Sequence, residues 1–210
     1  MTRLTALVLA LLPALPVGAH PHVFADVGLA LTLDARDRVV SVDVTWRYDD
    51  FFSLLILEDM GLDPDGDGVL TGAELDQLAR FDLDNWYEGF EGDLYLYSGG
   101  QKLDLGAPDF VDVRMVGGQI ESVHRRSVDP APADGLVIRP YDPTYYIAFT
   151  ANLPVTLPER CSARVTKPDL DAADRALQAE LAKVPEDQFE VIEMGETFAD
   201  RIDVTCAPLP

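Results

Sequence analysis

The sequence predicts an α+β fold, mostly an antiparallel β-sheet or sandwich, with an inserted helical hairpin and a C-terminal helix. Three observations predict this class. Segments of alternating polar and apolar residues recur along the 210-residue chain. Gly99-Gly100 and Gly117-Gly118 each separate two such segments, which is a hairpin signal. No regular alternation of strands with helices occurs, so a parallel α/β sheet is not expected.

The first two strands are expected at residues 22–33 and 38–48. In the second, Val40, Val42, Val44 and Trp46 share one face, and polar residues lie between them. A polar turn at residues 34–37 joins the two segments. Together they predict a β-hairpin.

The period then changes from that of a strand to that of a helix. Asp50 is expected to cap a helix over residues 51 to about 60, and Gly61 to end it. A second helix is expected from residue 72 to about 86. These two helices make an insertion at about residues 50–88.

The rest of the chain returns to strands. They are predicted at residues 94–98, 102–105, 110–116, 119–128, 136–139, 145–150, 162–166 and 201–206. Residues 129–134 are expected to form a loop. A helix from residue 170 to 183, capped by Asp169, separates the last two strands.

The first 19 residues have the pattern of a cleaved signal peptide. Arg3 precedes an apolar run over residues 4–15, and Val17-Gly18-Ala19 supplies small residues at the cleavage site. Cleavage would leave His20 as the first residue of a periplasmic protein, with residues 20–210 forming one domain. No later segment is long and apolar enough to be a transmembrane candidate.

The charge of the chain limits its partners. It has 37 acidic and 16 basic residues, for a formal net charge of −21. Nucleic acid and anionic lipid are polyanions that such a protein repels, so neither is expected to bind. Cations are the natural small partners, and the alternative is that the acidity serves only solubility.

The only two cysteines are Cys161 and Cys206. In an oxidising compartment, one disulfide between them is the default expectation. It would tie the C-terminal end of the chain to a strand that precedes it by about 45 residues.

Residues 63–74 fit every diagnostic position of a twelve-residue EF-hand calcium loop. Gly68 stands at position six, where the chain turns sharply, and Leu70 at position eight. The predicted Ca²⁺ ligands are Asp63, Asp65, Asp67, the Val69 carbonyl, Thr71 and Glu74. The alternative is an acidic surface turn without an ion.

No second calcium loop is predicted. Asp82 and Asp84 begin like one, but Tyr87 stands where glycine is needed. A lone loop favours a structural staple over a sensor, with an affinity on the order of 10⁻⁴–10⁻³ M.

The three histidines suggest a second metal site. His20 and His22 open the predicted mature chain, and His124 lies in a predicted strand. Three imidazoles suit Zn²⁺, Ni²⁺, Co²⁺ or Cu²⁺. The alternatives are a disordered terminus and a surface position for His124 beside Arg125 and Arg126.

No recognised catalytic motif is present, so no catalytic residue is predicted and a non-enzyme is expected. One enzymatic alternative is a copper "histidine brace" that pairs His20 with His124. The stretch from Tyr141 to Tyr146 is interpreted as a structural corner, with a ligand site as the alternative.

Four stretches together resemble a bacterial family of unknown function, labelled as the periplasmic component of an uncharacterised ABC-type transport system. They are residues 20–24 (HPHVF), 46–53 (WRYDDFFS), the calcium loop, and 139–149 (RPYDPTYYIAF). Members tend to be encoded beside nickel/cobalt-type metal permeases. The resemblance implies metal handling, with a membrane metal transporter as partner.

These observations lead to one leading hypothesis and two alternatives. The first is a periplasmic metal-binding accessory protein for transition-metal transport, with a structural calcium site. The second is a calcium-stapled, non-catalytic module that binds protein or glycan. The third is the copper protein with a histidine brace.

Overall fold

The computed structural model describes residues 21–84, 86–185 and 191–208. The strands are β1 Val23–Leu33, β2 Arg38–Tyr48, β3 Leu94–Ser98, β4 Gln101–Leu103, β5 Leu105–Val116, β6 Gln119–Pro132, β7 Val137–Pro140, β8 Ile147–Thr150, β9 Val155–Thr156, β10 Cys161–Thr166 and β11 Arg201–Cys206. The helices are α1 Asp50–Met60, α2 Gly72–Leu78, α3 Leu170–Leu181 and the 3₁₀ turn Gly195–Phe198. The predicted signal peptide and His20 lie outside the described residues.

The strands form two sheets, and most of their pairs are antiparallel as predicted. The first sheet has the order β5-β6-β2-β1-β8, with β9 also paired to β1, and the second has the order β10-β11-β7-β3-β4. Among the described helices, none is long and apolar enough to span a bilayer.

One hydrophobic core joins the two sheets with the helical insertion. Val44 and Trp46 of β2 lie in it with Leu96 of β3 and Ile138 of β7. The alternation predicted for β2 is therefore correct from Val42 to Trp46, since these side chains share one face. It was wrong at Val40, because a bulge between Val39 and Ser41 buries Val39 and leaves Val40 half-buried. Leu78, at the end of α2, belongs to the same core and is fully buried.

Helix α1 is attached to the first sheet by two polar side chains. The Asp49 carboxylate accepts hydrogen bonds from the N–H of Phe52 at 2.9 Å and the N–H of Phe24 at 2.8 Å. Asp49 therefore caps the helix, and the expectation that Asp50 does so was wrong by one residue. The buried Ser53 hydroxyl accepts a hydrogen bond from the N–H of Ile120 at 2.9 Å.

Several elements differ from the prediction in their bounds or their pairing, and β5, for example, begins at Leu105 rather than residue 110. Helix α2 ends at Leu78 rather than near residue 86, because Arg80 takes a left-handed backbone conformation with φ of 69°. Strand β6 runs on through Pro132, so the loop predicted at residues 129–134 is mostly strand. Strand β1 pairs in parallel with β8 and β9, and β9 was not predicted.

The predicted disulfide is present. Cys161 and Cys206 face each other on the antiparallel pair β10–β11, 45 residues apart in sequence. A disulfide fits an oxidising, extracytoplasmic compartment.

Removing this disulfide should destabilise the protein. In the chain-entropy model, a loop of this length contributes roughly 3–4 kcal/mol by restricting the unfolded chain. We expect the double variant Cys161→Ser/Cys206→Ser to lose about that free energy of unfolding in urea titrations. Reduced wild-type protein should behave like the variant. Equal stability of the oxidised wild type and the variant would contradict the assignment.

Candidate metal centre

The predicted calcium loop connects α1 to α2. Helix α1 ends at Gly61, whose φ of 65° is left-handed, and the N–H of Leu62 closes the end by donating to Leu57 O at 2.8 Å. Helix α2 begins with a capping box in which Thr71 and Glu74 bond each other's backbone N–H groups. Both ends of the loop are therefore held by helix caps.

Three carboxylates of the loop converge. One oxygen each from Asp63, Asp65 and Asp67 lies within 4.8 Å of the others. Backbone N–H groups orient two of the side chains. Those of Asp67 and Gly68 donate to Asp63 at 3.1 and 3.0 Å, and that of Val69 donates to Asp67 at 2.8 Å. Among the described residues, no ion pair involves these three carboxylates.

Glu74 brings a fourth carboxylate to the loop, although outside that group of three. One of its oxygens accepts a hydrogen bond from the N–H of Asp63 at 3.2 Å. The other accepts from the Thr71 hydroxyl at 2.6 Å and the Thr71 N–H at 2.8 Å. The hydrogen bonds from Thr71 lower the pKa of the Glu74 carboxyl. A hydrogen bond thus joins Asp63 and Glu74, the first and last positions of the loop.

The structure also describes the other predicted positions of the loop, which are Val69, Leu70 and Gly68. The Val69 side chain is exposed, so of this residue only the backbone carbonyl is a predicted ligand. Leu70 is buried and belongs to the protein's own hydrophobic core. Gly68 has a φ of 75°, a conformation that a side chain would strain, as position six of such a loop requires.

The segment after α2 fastens the insertion to the first sheet. The Asp82 carboxyl group is half-buried, and it accepts hydrogen bonds from the Ser122 hydroxyl at 2.5 Å and the Tyr48 hydroxyl at 3.2 Å. Burial raises the pKa of Asp82. Asp82 therefore anchors the insertion and does not begin a second calcium loop. No local pattern predicts this role, because Tyr48 and Ser122 lie 34 and 40 residues away along the chain.

His124 is buried against two indole rings and is not the surface residue considered as an alternative. It is 1% exposed, with its ring centroid 4.6 Å from that of Trp46 and 5.8 Å from that of Trp86. Neither ring nitrogen hydrogen-bonds to any described residue. Burial, with a smaller effect from Arg126, lowers the pKa of His124 to about 3.

The structure does not bring His22 and His124 together. His124 lies opposite Val44, which lies opposite Leu29 of β1. Leu29 is seven residues from His22, about 23 Å along an extended strand. His22 is exposed beside Tyr146, with the ring centroids 4.9 Å apart. A site of three imidazoles, or a brace that includes His124, is therefore not formed by the described residues.

The stretch from Tyr141 to Tyr146 forms a turn held by Asp142. Its carboxylate accepts hydrogen bonds from the N–H of Thr144 at 2.8 Å and of Ile147 at 3.0 Å. Tyr145 has a left-handed φ of 60° and stacks on Phe198, with centroids 4.0 Å apart. These contacts support the interpretation of a structural corner that leads into β8.

A family model described as "Protein of unknown function (DUF1007)" matches residues 5–206. The chain belongs to the DUF1007 family. The suggested setting of an ABC transport system is not part of that description. A search of curated protein sequences gave no match.

One solved structure similar to this DUF1007 chain is AChBP from Bulinus truncatus. It is 10% identical, the match covers 92% of this chain and 91% of that one, and the TM-score is 0.32. A likeness at that TM-score carries no argument about fold or function.

The buried His124 should make the stability of the protein depend on pH. In the unfolded chain, its pKa is about 6.5. As the pH falls below that value, the unfolded state takes up a proton that the folded state refuses until about pH 3. Stability should therefore fall on acidification by up to about 1.4 kcal/mol per pH unit.

His124→Phe keeps an aromatic ring between the two indoles and removes the titration. Because neither ring nitrogen has a described partner, the variant breaks no hydrogen bond among the described residues. Urea denaturation between pH 7 and pH 4.5 should give a smaller loss of stability for the variant than for the wild type. Equal losses would show that His124 is not the responsible group.

Proposed function

We propose that this chain is a non-catalytic periplasmic binding protein whose helical insertion is held by one Ca²⁺ ion in the loop from Asp63 to Glu74. The convergence of three carboxylates within 4.8 Å, with no described Lys or Arg paired to them, carries the proposal. Such a group is electrostatically unfavourable alone and favourable around a divalent cation.

The donor set favours Ca²⁺ over transition metals. It consists entirely of oxygen, from carboxylates, a backbone carbonyl and a hydroxyl, whereas Zn²⁺ and Cu²⁺ prefer nitrogen and sulfur. The positions of Gly68 and Glu74 within the twelve residues support the same choice, because Ca²⁺ accepts a bidentate carboxylate and an irregular coordination sphere.

The proposed ion acts as a staple and not as a switch. In tandem EF-hands, position eight contacts a second loop, but here Leu70 packs into the protein's own core. The ion would hold α1 and α2 at a fixed angle above the sheet. A periplasmic location is supported by the disulfide and by the signal-peptide pattern of residues 1–19.

Calcium should stabilise the folded protein. For an affinity of about 10⁻⁴ M, 10 mM Ca²⁺ contributes roughly 2.7 kcal/mol by mass action. We expect the melting temperature to rise in Ca²⁺ and to fall back on addition of a chelator. Glu74→Gln should weaken the effect strongly, because it removes the charge that closes the loop.

Asp76→Asn is the matched control, since Asp76 is an exposed acidic residue of the same helix but lies outside the loop. It should keep the full response to Ca²⁺. A wild-type melting temperature that does not change with Ca²⁺ would reject the proposed site, as would an equal response from the Glu74→Gln variant.

The transition-metal role remains as a second, narrower proposal. Its support is His22, which is exposed and directly precedes β1. It lies two residues after His20, whose backbone amine would be the N-terminus after the predicted cleavage. His124 is left out because two indoles enclose it. In this form, an accessory protein would present the metal to a transporter at its N-terminus.

Calorimetric titration of the processed protein with Zn²⁺, Ni²⁺, Co²⁺ and Cu²⁺ tests this second proposal. We expect binding tighter than about 100 μM for at least one metal. His22→Ala should weaken it at least tenfold, whereas His124→Phe should not. Binding that survives His22→Ala, or no binding at all, would reject the role.

A further inference from the structure

Helix α1 is apolar on both of its faces. Ser53 and Leu57 are buried against the sheet. On the opposite side, the exposed fractions of Phe51, Leu54 and Leu55 are 74%, 62% and 41%. These three residues, spaced as one face of a helix, are called the α1 outer face. Glu58, four residues after Leu54, lies on the same side of the helix, so this apolar face has a carboxylate at its edge.

The α1 outer face is rigidly presented. Asp49 binds both the first turn of the helix and the backbone of β1, and Ser53 binds the backbone of β6. The exposed Phe and Leu side chains therefore sit on a fixed element and not on a loose loop. Contiguous exposed apolar surface of this kind marks an interaction site in a folded protein.

The charge around this face restricts what can cover it. Residues 49–79 contain nine acidic side chains and no Lys or Arg. Of these, Asp50, Glu58 and Asp59 are exposed on α1 itself. The segment stays strongly negative even with one divalent ion in its loop. An occupant must therefore combine apolar side chains with positive charge.

This requirement disfavours two other occupants. An anionic membrane surface would be repelled by the acidic residues that surround the face. A second copy, related by two-fold symmetry, would bring the same acidic segment against itself. The helix is about 16 Å long, which matches roughly three turns of a partner helix.

We propose that the α1 outer face docks an amphipathic segment of a partner protein, in which Lys or Arg residues flank the apolar side chains. This deepens the proposed function and rests on its claim that the chain acts by binding. The contact would lie on the same helical insertion as the proposed calcium loop.

Fluorescence anisotropy with three synthetic helical peptides tests the docking. The first alternates Leu and Lys in an amphipathic pattern, the second replaces Leu by Ser, and the third replaces Lys by Glu. We expect the Leu/Lys peptide to bind at least tenfold more tightly than either of the others. If the Ser/Lys peptide bound as tightly as the Leu/Lys peptide, the interaction would depend on net charge alone, and the proposal would be overturned.

Variants then locate the contact. Phe51→Ser/Leu54→Ser should weaken binding of the Leu/Lys peptide at least tenfold. Because both side chains are mostly exposed, the variant should fold normally. Leu181→Ser is the matched control, since Leu181 is a 45% exposed leucine on another helix, and it should bind like the wild type. Equal loss in both variants, or in neither, would overturn the proposal.

Two further measurements distinguish the remaining occupants. Co-sedimentation with vesicles of phosphatidylcholine, with and without phosphatidylglycerol, should show no binding. Analytical ultracentrifugation should show a monomer. Vesicle binding or self-association that Phe51→Ser/Leu54→Ser abolishes would assign the face to a membrane or to a second copy and overturn the proposal.

Comparing the peptide titration with the thermal response to Ca²⁺, both measured on the wild-type protein, separates this inference from the calcium site. Peptide binding by a wild-type protein that shows no thermal response to Ca²⁺ would reject the calcium staple and retain the docking face. A thermal response to Ca²⁺ without peptide binding would retain the staple and reject the docking face.

Discussion

The Asp82 carboxyl group fixes the position of the helical insertion on the first sheet. It is half-buried and accepts hydrogen bonds from Tyr48 and Ser122, which belong to neighbouring strands of that sheet. Removing a carboxyl group from water without such partners would cost several kcal/mol of folding free energy, so these hydrogen bonds define the position of the segment after α2. Ser53 fastens α1 in the same way. The acidic loop lies between these two contacts in the sequence, so both ends of the insertion are fixed to the first sheet.

The same insertion concentrates charge that the protein does not neutralise itself. Several arginines elsewhere pair with partners outside the loop. Arg47 and Arg114 both pair with the buried Glu121, and Arg126 donates to backbone carbonyls beneath Trp86. The loop carboxylates are held instead by backbone N–H groups, which orient them without cancelling their charge. This contrast is the physical basis for assigning a cation to one end of the insertion and a cationic partner to its outer face.

Local patterns predicted the fold well, and long-range contacts were where prediction failed. Strand β2 and helix α3 begin where alternation and the Asp169 cap place them. The end of α2 at Leu78 was not predicted, because no glycine marks the left-handed backbone conformation at Arg80 that follows it. At the metal centre, spacing alone identified the three converging carboxylates. Spacing could not place His124, because its burial depends on Trp86, which is distant in sequence.

The parallel pairing of β1 has a consequence for the timing of folding. This strand, the first described element of the chain, lies between β2 and strands formed by residues 147–156. The first sheet therefore cannot close until most of the polypeptide has been delivered, and pairing over such a separation is intrinsically slow. The first sheet is thus completed late in folding, when residues 147–156 pair with β1.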